Sequence, residues 1–248
     1  MIILPSEEDI KFFTKLTGKV PSKAFFKHLV KDGEREYNTQ LERFIDLALS
    51  QKVPDKIIKL INDPLSRLLL IKESNSYHNE SSTLAHSVDV AEGLILLNKY
   101  EPEVSAITGL IHDWGKIYTL SEKEKNGKII TQAIGHAKEG YEIIMSIKDY
   151  LKEKYELPPE IIDYIATIVK YHMDPIDLYN AMKTAKDPEK TIQNALKKWG
   201  PYSDEILTFS QADISKTPMA KEIIEFYQGL EEKYLKTMER KIYKSNFQ

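Results

Sequence analysis

The stretch that decides the fold is Leu110-Ile111-His112-Asp113-Trp114-Gly115-Lys116, in which an imidazole and a carboxylate follow an apolar run. Neutral imidazole binds transition metals, and carboxylate binds both hard and borderline ions. Neighbouring side chains on a helix point about 100° apart, so His112 and Asp113 can reach one ion and the carboxylate can bridge to a second. Gly115 lets other groups come close to the backbone. Lys116 places a positive charge near any anion that a metal holds.

A His-Asp pair alone is weak evidence for a metal site, so the helices before it matter. Apolar residues at helical spacing predict a helix from Ser82 or Thr83 to about Asn98. Pro102 suits the first turn of a second helix, which runs into the His-Asp pair. The link between the two helices is short, so they should pack antiparallel. That packing would place His86, near the start of the first helix, opposite the pair.

Three more candidate ligands follow downstream. His136 begins a predicted helix that runs to about Tyr155. His172 continues the apolar stripe of the next helix, and Asp213 continues the buried stripe of a later one. A buried carboxylate requires a partner, because burying a bare charge is costly. Each residue alone has a structural interpretation, as a cap or a hydrogen-bonded core residue. Their combination favours a shared site.

Composition limits the classes of protein and of site. The chain has 248 residues, 42% of them hydrophobic, a formal net charge of −3 and no cysteine. This charge predicts no strongly basic nucleic-acid-coating surface, and any metal must be held chiefly by His, Asp or Glu. The first residues, Met1 to Asp9, turn acidic too soon for a signal peptide, and no apolar run approaches the roughly 18 residues of a membrane span. We expect a cytoplasmic protein that does not associate with a membrane.

The periodicity predicts an all-α protein with a small β-hairpin at Asn126-Gly127. We expect an N-terminal extension of short helices over residues 1–75. A main domain over 76–248 would end in a long amphipathic helix from Pro218 to about Tyr243. Lysines flank two pairs of phenylalanines in the extension, which would suit nucleic-acid binding. We interpret these pairs as core patterning: Phe12, Phe13, Phe25 and Phe26.

The ordered set of histidines and aspartates resembles the HD-domain metal-dependent phosphohydrolase superfamily, whose motif is H…HD…D, over about residues 76–215. It is most similar to the HD domain of bacterial CCA-adding enzymes, the tRNA nucleotidyltransferases. The following stretches carry that similarity: Tyr77-His78-Asn79-Glu80, Leu84-Ala85-His86, Ile111-His112-Asp113-Trp114-Gly115-Lys116, Gly135-His136-Ala137-Lys138-Glu139-Gly140, Val169-Lys170-Tyr171-His172 and Ala212-Asp213. The resemblance implies an HD-domain helical bundle.

The resemblance also implies roles for individual residues. The core metal ligands would be His86, His112, Asp113 and Asp213, and a second ion would be held by His136 and His172. Lys116 would contact the substrate phosphate and act with Asp113 in catalysis. His78 and Glu80 are candidates for substrate binding and for the leaving-group acid by position alone.

The resemblance further implies one or two divalent ions, among Mn, Fe, Ni, Co, Zn and Mg. The implied substrate is a nucleotide or an RNA-terminal phosphate, including a 2′,3′-cyclic one. Two departures from related proteins matter. Residues 1–75 are too short for a nucleotidyltransferase domain, and Lys116 stands where HD-type 5′-deoxynucleotidases tend to carry a glutamate.

Two other hypotheses remain open at this point. The first is a non-catalytic HD module with a structural metal, in which residues 1–75 or the last helix bind a partner. The second is an all-α protein whose histidines are unrelated. The oligomeric state is not predicted.

Overall fold

The computed structural model describes residues 4–30, 35–74 and 82–235, without the side chains of 35–38. The predicted all-α class is confirmed, because helices dominate the described residues. The first helices are α1 (Glu7–Thr17), α2 (Lys23–His28), α3 (Arg35–Ser50), α4 (Asp55–Ile58), α5 (Pro64–Arg67), α6 (Thr83–Leu97), α7 (Pro102–Ile111) and α8 (Lys116–Thr119). A hairpin of β1 (Ser121–Lys125) and β2 (Lys128–Gln132) follows. The remaining helices are α9 (His136–Ser146), α10 (Lys148–Tyr155), α11 (Pro159–Tyr171), α12 (Asp174–Met182), α13 (Pro188–Trp199), α14 (Ser203–Ile214) and α15 (Ala220–Leu230).

The helices α6 and α7 form the centre of the fold. Ser82 caps α6 by accepting a hydrogen bond from the Ala85 amide at 3.2 Å, and Pro102 lies in the first turn of α7. The two helices pack closely, because a Cβ at Gly109 would overlap the backbone of Ala91. Helices α3 and α14 pack against α6, while α9 packs against α11. This arrangement leaves the end of α7 beside the start of α6, as the short link predicts.

The N-terminal helices share the hydrophobic core of the rest of the protein. Phe13 and Phe25 are fully buried in that core, which confirms the packing interpretation for these two residues, whereas Phe26 is 46% exposed. Asp9 accepts a hydrogen bond from Arg67 at 2.6 Å, which links α1 to α5. The predicted boundary near residue 75 lies outside the described residues, so the division into two parts stays a prediction.

The predicted hairpin is present and is attached to the segment that precedes α6. Its strands are antiparallel, with Ser121 opposite Gln132. The backbone amide of Thr131 donates to the Ser74 carbonyl at 3.2 Å, and the Ser74 amide donates to the Thr131 hydroxyl at 2.8 Å. The hairpin is therefore held against Ser74, which follows Glu73, a residue whose side chain is only 6% exposed.

Several predicted helices have different ends. The single helix expected from residue 135 to 155 breaks at Ile147, where φ is −109° and ψ is 20°. The apolar spacing continues through this break, so the pattern does not reveal it. Ser203 is the first residue of α14, and the segment after His172 contains α12. The helix expected from Pro218 is described to Leu235, with a π-helical turn from Glu231.

In the part of the chain that the structure describes, no helix combines the length and the apolar character that a membrane span requires.

Candidate metal centre

Five helices bring together the six side chains that the sequence analysis predicts as metal ligands. Three of them lie just beyond the last turn of a helix, and one is the first residue of its helix. The residues and their elements are His86 in α6, His112 and Asp113 directly after α7, His136 at the start of α9, His172 directly after α11, and Asp213 near the end of α14. Their convergence depends on tertiary packing, because up to 127 positions separate them along the chain.

One group of ligands lies between α6, α7 and α14. His86 Nε2 is 2.8 Å from Asp213 Oδ1 and 4.0 Å from Asp113 Oδ2. His112 Nε2 is 3.2 Å from Asp113 Oδ2 and 3.8 Å from Asp213 Oδ1. The histidines are 4% and 1% exposed, and the Asp213 side chain is 13% exposed. Ligand atoms of His86, His112 and Asp113 lie within 4.8 Å of one another, so one ion could contact all three.

A second group uses the other oxygen of the same aspartate. His136 Nε2 is 3.4 Å from Asp113 Oδ1 and 3.0 Å from His172 Nε2. These three side chains also offer ligand atoms within 4.8 Å of one another. Asp113 belongs to both groups, so its carboxylate could be shared by two ions if both were bound.

Backbone carbonyls set the orientation of three of the imidazoles. The Nδ1 atoms of His112, His136 and His172 each lie 2.7 Å from the carbonyl oxygen three residues earlier in the chain. A carbonyl oxygen only accepts hydrogen bonds, so Nδ1 carries the proton and donates it. In the neutral ring, Nε2 then presents a lone pair toward the centre of the site. This is the outer-shell arrangement that orients metal-binding histidines.

The donor set fits divalent cations. In their neutral forms, His136 and His172 point lone pairs at each other across 3.0 Å, which is unfavourable without a cation. Asp113 Oδ2 is buried and makes no well-aligned hydrogen bond with any described residue, although Lys116 Nζ lies 3.0 Å away. Coordination of an ion would satisfy these atoms, and imidazole with carboxylate suits Mn, Fe, Co, Ni or Zn.

The surroundings of the site favour ionised carboxylates, and burial favours the neutral imidazoles of His136 and His172. Burial opposes ionisation of Asp113, but His112 and Lys116 hold its pKa well below the usual range. Burial likewise opposes ionisation of Asp213, and His86 lowers the pKa of that carboxyl. Burial lowers the pKa of His136, and it lowers the pKa of His172 to about 3, assisted by the neighbouring histidines. These are the protonation states that metal binding requires.

Lys116 is buried between two carboxylates, one of which the sequence analysis missed. Its Nζ donates to Glu73 Oε1 at 2.7 Å and lies 3.0 Å from Asp113 Oδ2. Burial alone would lower the pKa of Lys116, but Asp113 and Glu73 raise it above the usual value, so the side chain is a cation. Glu73 also accepts a hydrogen bond from the Thr83 hydroxyl at 2.8 Å. Glu73 follows an extended segment without apolar periodicity, so no sequence pattern indicates that it belongs to the site.

The glycine of the central stretch is required for this geometry. A Cβ at Gly115 would overlap the carbonyl oxygen of His136 and approach the Gly140 amide to 2.6 Å. The start of α9 therefore lies directly on the backbone that follows Asp113. This confirms the expectation that Gly115 allows close approach.

Five of the six candidate ligands line a cleft of ≈ 750 Å³: His86, Asp113, His136, His172 and Asp213. Metal-ligand candidates, Lys116 and Glu73 line its inner part, and residues 132–138, 170–174, Asp177 and Lys198 line the rest. The volume is within the range of about 300–1,000 Å³ typical of ligand sites. A small molecule or a chain end can therefore reach the buried centre.

Two other candidate residues, His78 and Glu80, fall outside the described residues, so their predicted roles stay predictions. The remaining histidine of the chain, His28, lies 3.1 Å from Glu122 of β1.

The comparisons with known proteins identify one family. The model of the HD domain matches residues 83–213, which is more than half of the chain. No curated protein and no solved structure matches the chain. The similarity to CCA-adding enzymes stays a prediction. Because the matched range begins and ends at the elements that carry His86 and Asp213, and contains the His112-Asp113 pair, the chain belongs to the HD domain family.

Proposed function

We propose that this protein is a metal-dependent phosphohydrolase that acts on a nucleotide or an RNA-terminal phosphate, including a 2′,3′-cyclic phosphate. The observation that carries the proposal is the position of Asp113. Each of its oxygens faces a different pair of histidines, and the carboxylate lies beside the buried cation of Lys116 in an accessible cleft. A structural metal site would need neither the buried lysine nor the cleft.

The proposal gives each ion its own set of ligands. His86, His112, Asp113 and Asp213 would hold one divalent ion, and His136, His172 and Asp113 a second. Divalent ions in such a site supply a water of lowered pKa as nucleophile and withdraw charge from the phosphoryl oxygens. The donors leave the identity open among Mn, Fe, Co, Ni, Zn and Mg.

The side chains of the protein would orient and stabilise the reacting phosphate. The ammonium of Lys116, held by Glu73, would donate to a phosphoryl oxygen as charge builds up on it. The carbonyl contacts to Nδ1 keep the histidines from rotating. Preorganised donors of this kind cost no rearrangement during the reaction. His78 and Glu80 remain the candidates for the acid that protonates the leaving group.

The proposal is tested by elemental analysis together with hydrolysis of bis-p-nitrophenyl phosphate and 2′,3′-cyclic AMP across several metals. The variants are His112→Ala and Asp113→Ala, and His28→Ala is a matched histidine control from outside the cleft. We expect bound metal, turnover that depends on it, and a loss of more than about 100-fold in both site variants, beyond the usual effect of outer-shell changes. Absence of metal, or turnover that survives both site substitutions, would refute the proposal.

A further inference from the structure

The outer part of the cleft differs in character from the metal centre. Its wall carries three lysines from three helices, Lys138 of α9, Lys170 of α11 and Lys198 of α13. The side chains of Lys138 and Lys198 are 77% and 55% exposed. Ile134, at the lip of the cleft, is 77% exposed. The cleft is therefore buried at the metal centre and open to solvent at the lysines.

An aromatic ring lies among these cations. Lys170 Nζ is 5.2 Å from the centroid of the Tyr171 ring, and Lys198 Nζ is 5.3 Å from the same centroid. Lys170 also lies 4.8 Å from the ring of Tyr141. Aromatic faces next to lysines bind single-stranded nucleic acid, because bases stack on the ring and ammonium groups attract phosphates.

The lysines differ in how far carboxylates already neutralise them. Lys198 is paired with Asp174 at 2.7 Å, and Lys138 lies 3.7 Å from Glu142. Among the described residues, no carboxylate forms an ion pair with Lys170, whose contacts are the two tyrosine rings. Lys170 is therefore the cation of this wall that is best placed to take an incoming phosphate.

We propose that the outer cleft, formed by Lys138, Lys170, Tyr171 and Lys198, binds the nucleotide that precedes the reacting end of a single-stranded oligonucleotide. The proposal rests on the function proposed above and names its substrate class: a chain end, in preference to a mononucleotide. The terminal phosphate occupies the metal centre, whose histidines are buried. The preceding base stacks on Tyr171, its phosphate meets Lys170, and the chain leaves past Ile134.

The first test compares kcat/KM for adenosine 2′,3′-cyclic phosphate with kcat/KM for a tri-adenylate that ends in the same cyclic phosphate. We expect the trinucleotide to be favoured about tenfold, in the lower part of the range for one stacked base. Lys170→Ala should bring this ratio close to one. Lys183→Ala is the matched control, because Lys183 lies 4.3 Å from the Tyr179 ring but does not line the cleft. It should retain the wild-type ratio.

Two variants of Tyr171 test whether its ring is the stacking surface. Tyr171→Phe keeps the stacking surface and should keep the preference, whereas Tyr171→Ala should lose it. Metal content is measured for both, because Tyr171 adjoins His172. The proposal would be overturned if the ratio of kcat/KM between trinucleotide and mononucleotide were equal in the wild type and in Lys170→Ala. It would also be overturned if Tyr171→Ala kept its metal and still preferred the trinucleotide.

A binding measurement separates this proposal from the proposed function. The anisotropy of a fluorescein-labelled tri-adenylate with a 3′-phosphate is titrated with metal-free wild type and Lys170→Ala. Binding that weakens about tenfold in the variant, without hydrolysis of any substrate by metal-loaded protein, would retain the outer site and refute the hydrolase. Hydrolysis of both cyclic phosphates without a length preference, and equal binding by both proteins, would retain the hydrolase and refute the outer site.

Discussion

The Nε2 atoms of His136 and His172 lie 3.0 Å apart, and both rings donate their Nδ1 proton to a backbone carbonyl. Two neutral imidazoles in this arrangement repel, because each presents a lone pair to the other. The protein nevertheless holds them in place with two hydrogen bonds and nearly complete burial. A cation held by both rings would relieve this repulsion, and predictions about the centre follow.

Removal of metal should lower thermal stability. Without a cation, the His136–His172 contact and the Asp113 carboxylate lose their compensating charge. An ion present at 100 times its Kd would stabilise the fold by about 2.7 kcal/mol. For a chain of this size that corresponds to about 5–10 °C in Tm. Differential scanning calorimetry before and after chelation measures the change. His172→Ala should show a smaller fall in Tm on chelation than the wild type. Equal falls in the two proteins would contradict the assignment of His172 as a metal ligand.

Substitutions should remove the two ions separately. His136→Ala or His172→Ala should remove the ion of their group and leave the other bound, while His86→Ala should have the opposite effect. Asp113→Ala should weaken both sites, because its carboxylate belongs to both groups. Metal content per chain after gel filtration, measured by mass spectrometry, distinguishes these cases. The same metal content in all four variants would contradict a bridging Asp113.

Replacement of Lys116 should reduce catalysis without releasing metal. The ammonium lies 3.0 Å from Asp113 but is not a ligand, so Lys116→Met should lower kcat by about 10²–10³-fold, as loss of one transition-state donor does. It should also lower the free energy of unfolding by about 3–5 kcal/mol, because it removes the ammonium that lies between the buried carboxylates of Glu73 and Asp113. Urea unfolding and metal analysis accompany the kinetics.

The double variant Lys116→Met with Glu73→Gln is the control for that stability effect. It removes both charges of the buried pair and should recover part of the lost stability. Activity should stay low in the double variant. Recovery of activity there would show that Lys116 only neutralises Glu73.

Gly115→Ala should disturb the centre through the backbone. A Cβ at this position would overlap the carbonyl oxygen of His136, so α9 must move away from Asp113. We expect a loss of about 1–3 kcal/mol in unfolding free energy, as overpacking causes, and weaker binding at the His136–His172 site. Gly229→Ala is the matched control, because its Cβ meets nothing within 4 Å. Equal stability of both variants would contradict the close approach.

Much of the site could be predicted from local spacing. The short link between α6 and α7 places His86 opposite the His112-Asp113 pair, and the apolar stripe of α11 directs His172 inward. These inferences succeed because helical periodicity fixes which residues share a face, and short connections fix which ends meet.

The features that spacing misses depend on tertiary contacts. Glu73 lies 43 residues before Lys116 in an extended segment, so its contact with the ammonium exists only in the folded chain. The break at Ile147 leaves the apolar spacing unchanged and has no local signal. The lysines of the outer cleft come from three helices, and only their packing brings them to one wall.

The most direct test of the central claim is hydrolysis of 2′,3′-cyclic AMP by wild type and Asp113→Asn, each incubated with the same metal and each shown to be folded by circular dichroism. Asn keeps the shape of the side chain and removes its charge. If the Asp113 carboxylate serves both groups of metal ligands, we expect metal-dependent turnover in the wild type and a loss of more than about 100-fold in the variant. Equal turnover by the two proteins would contradict it.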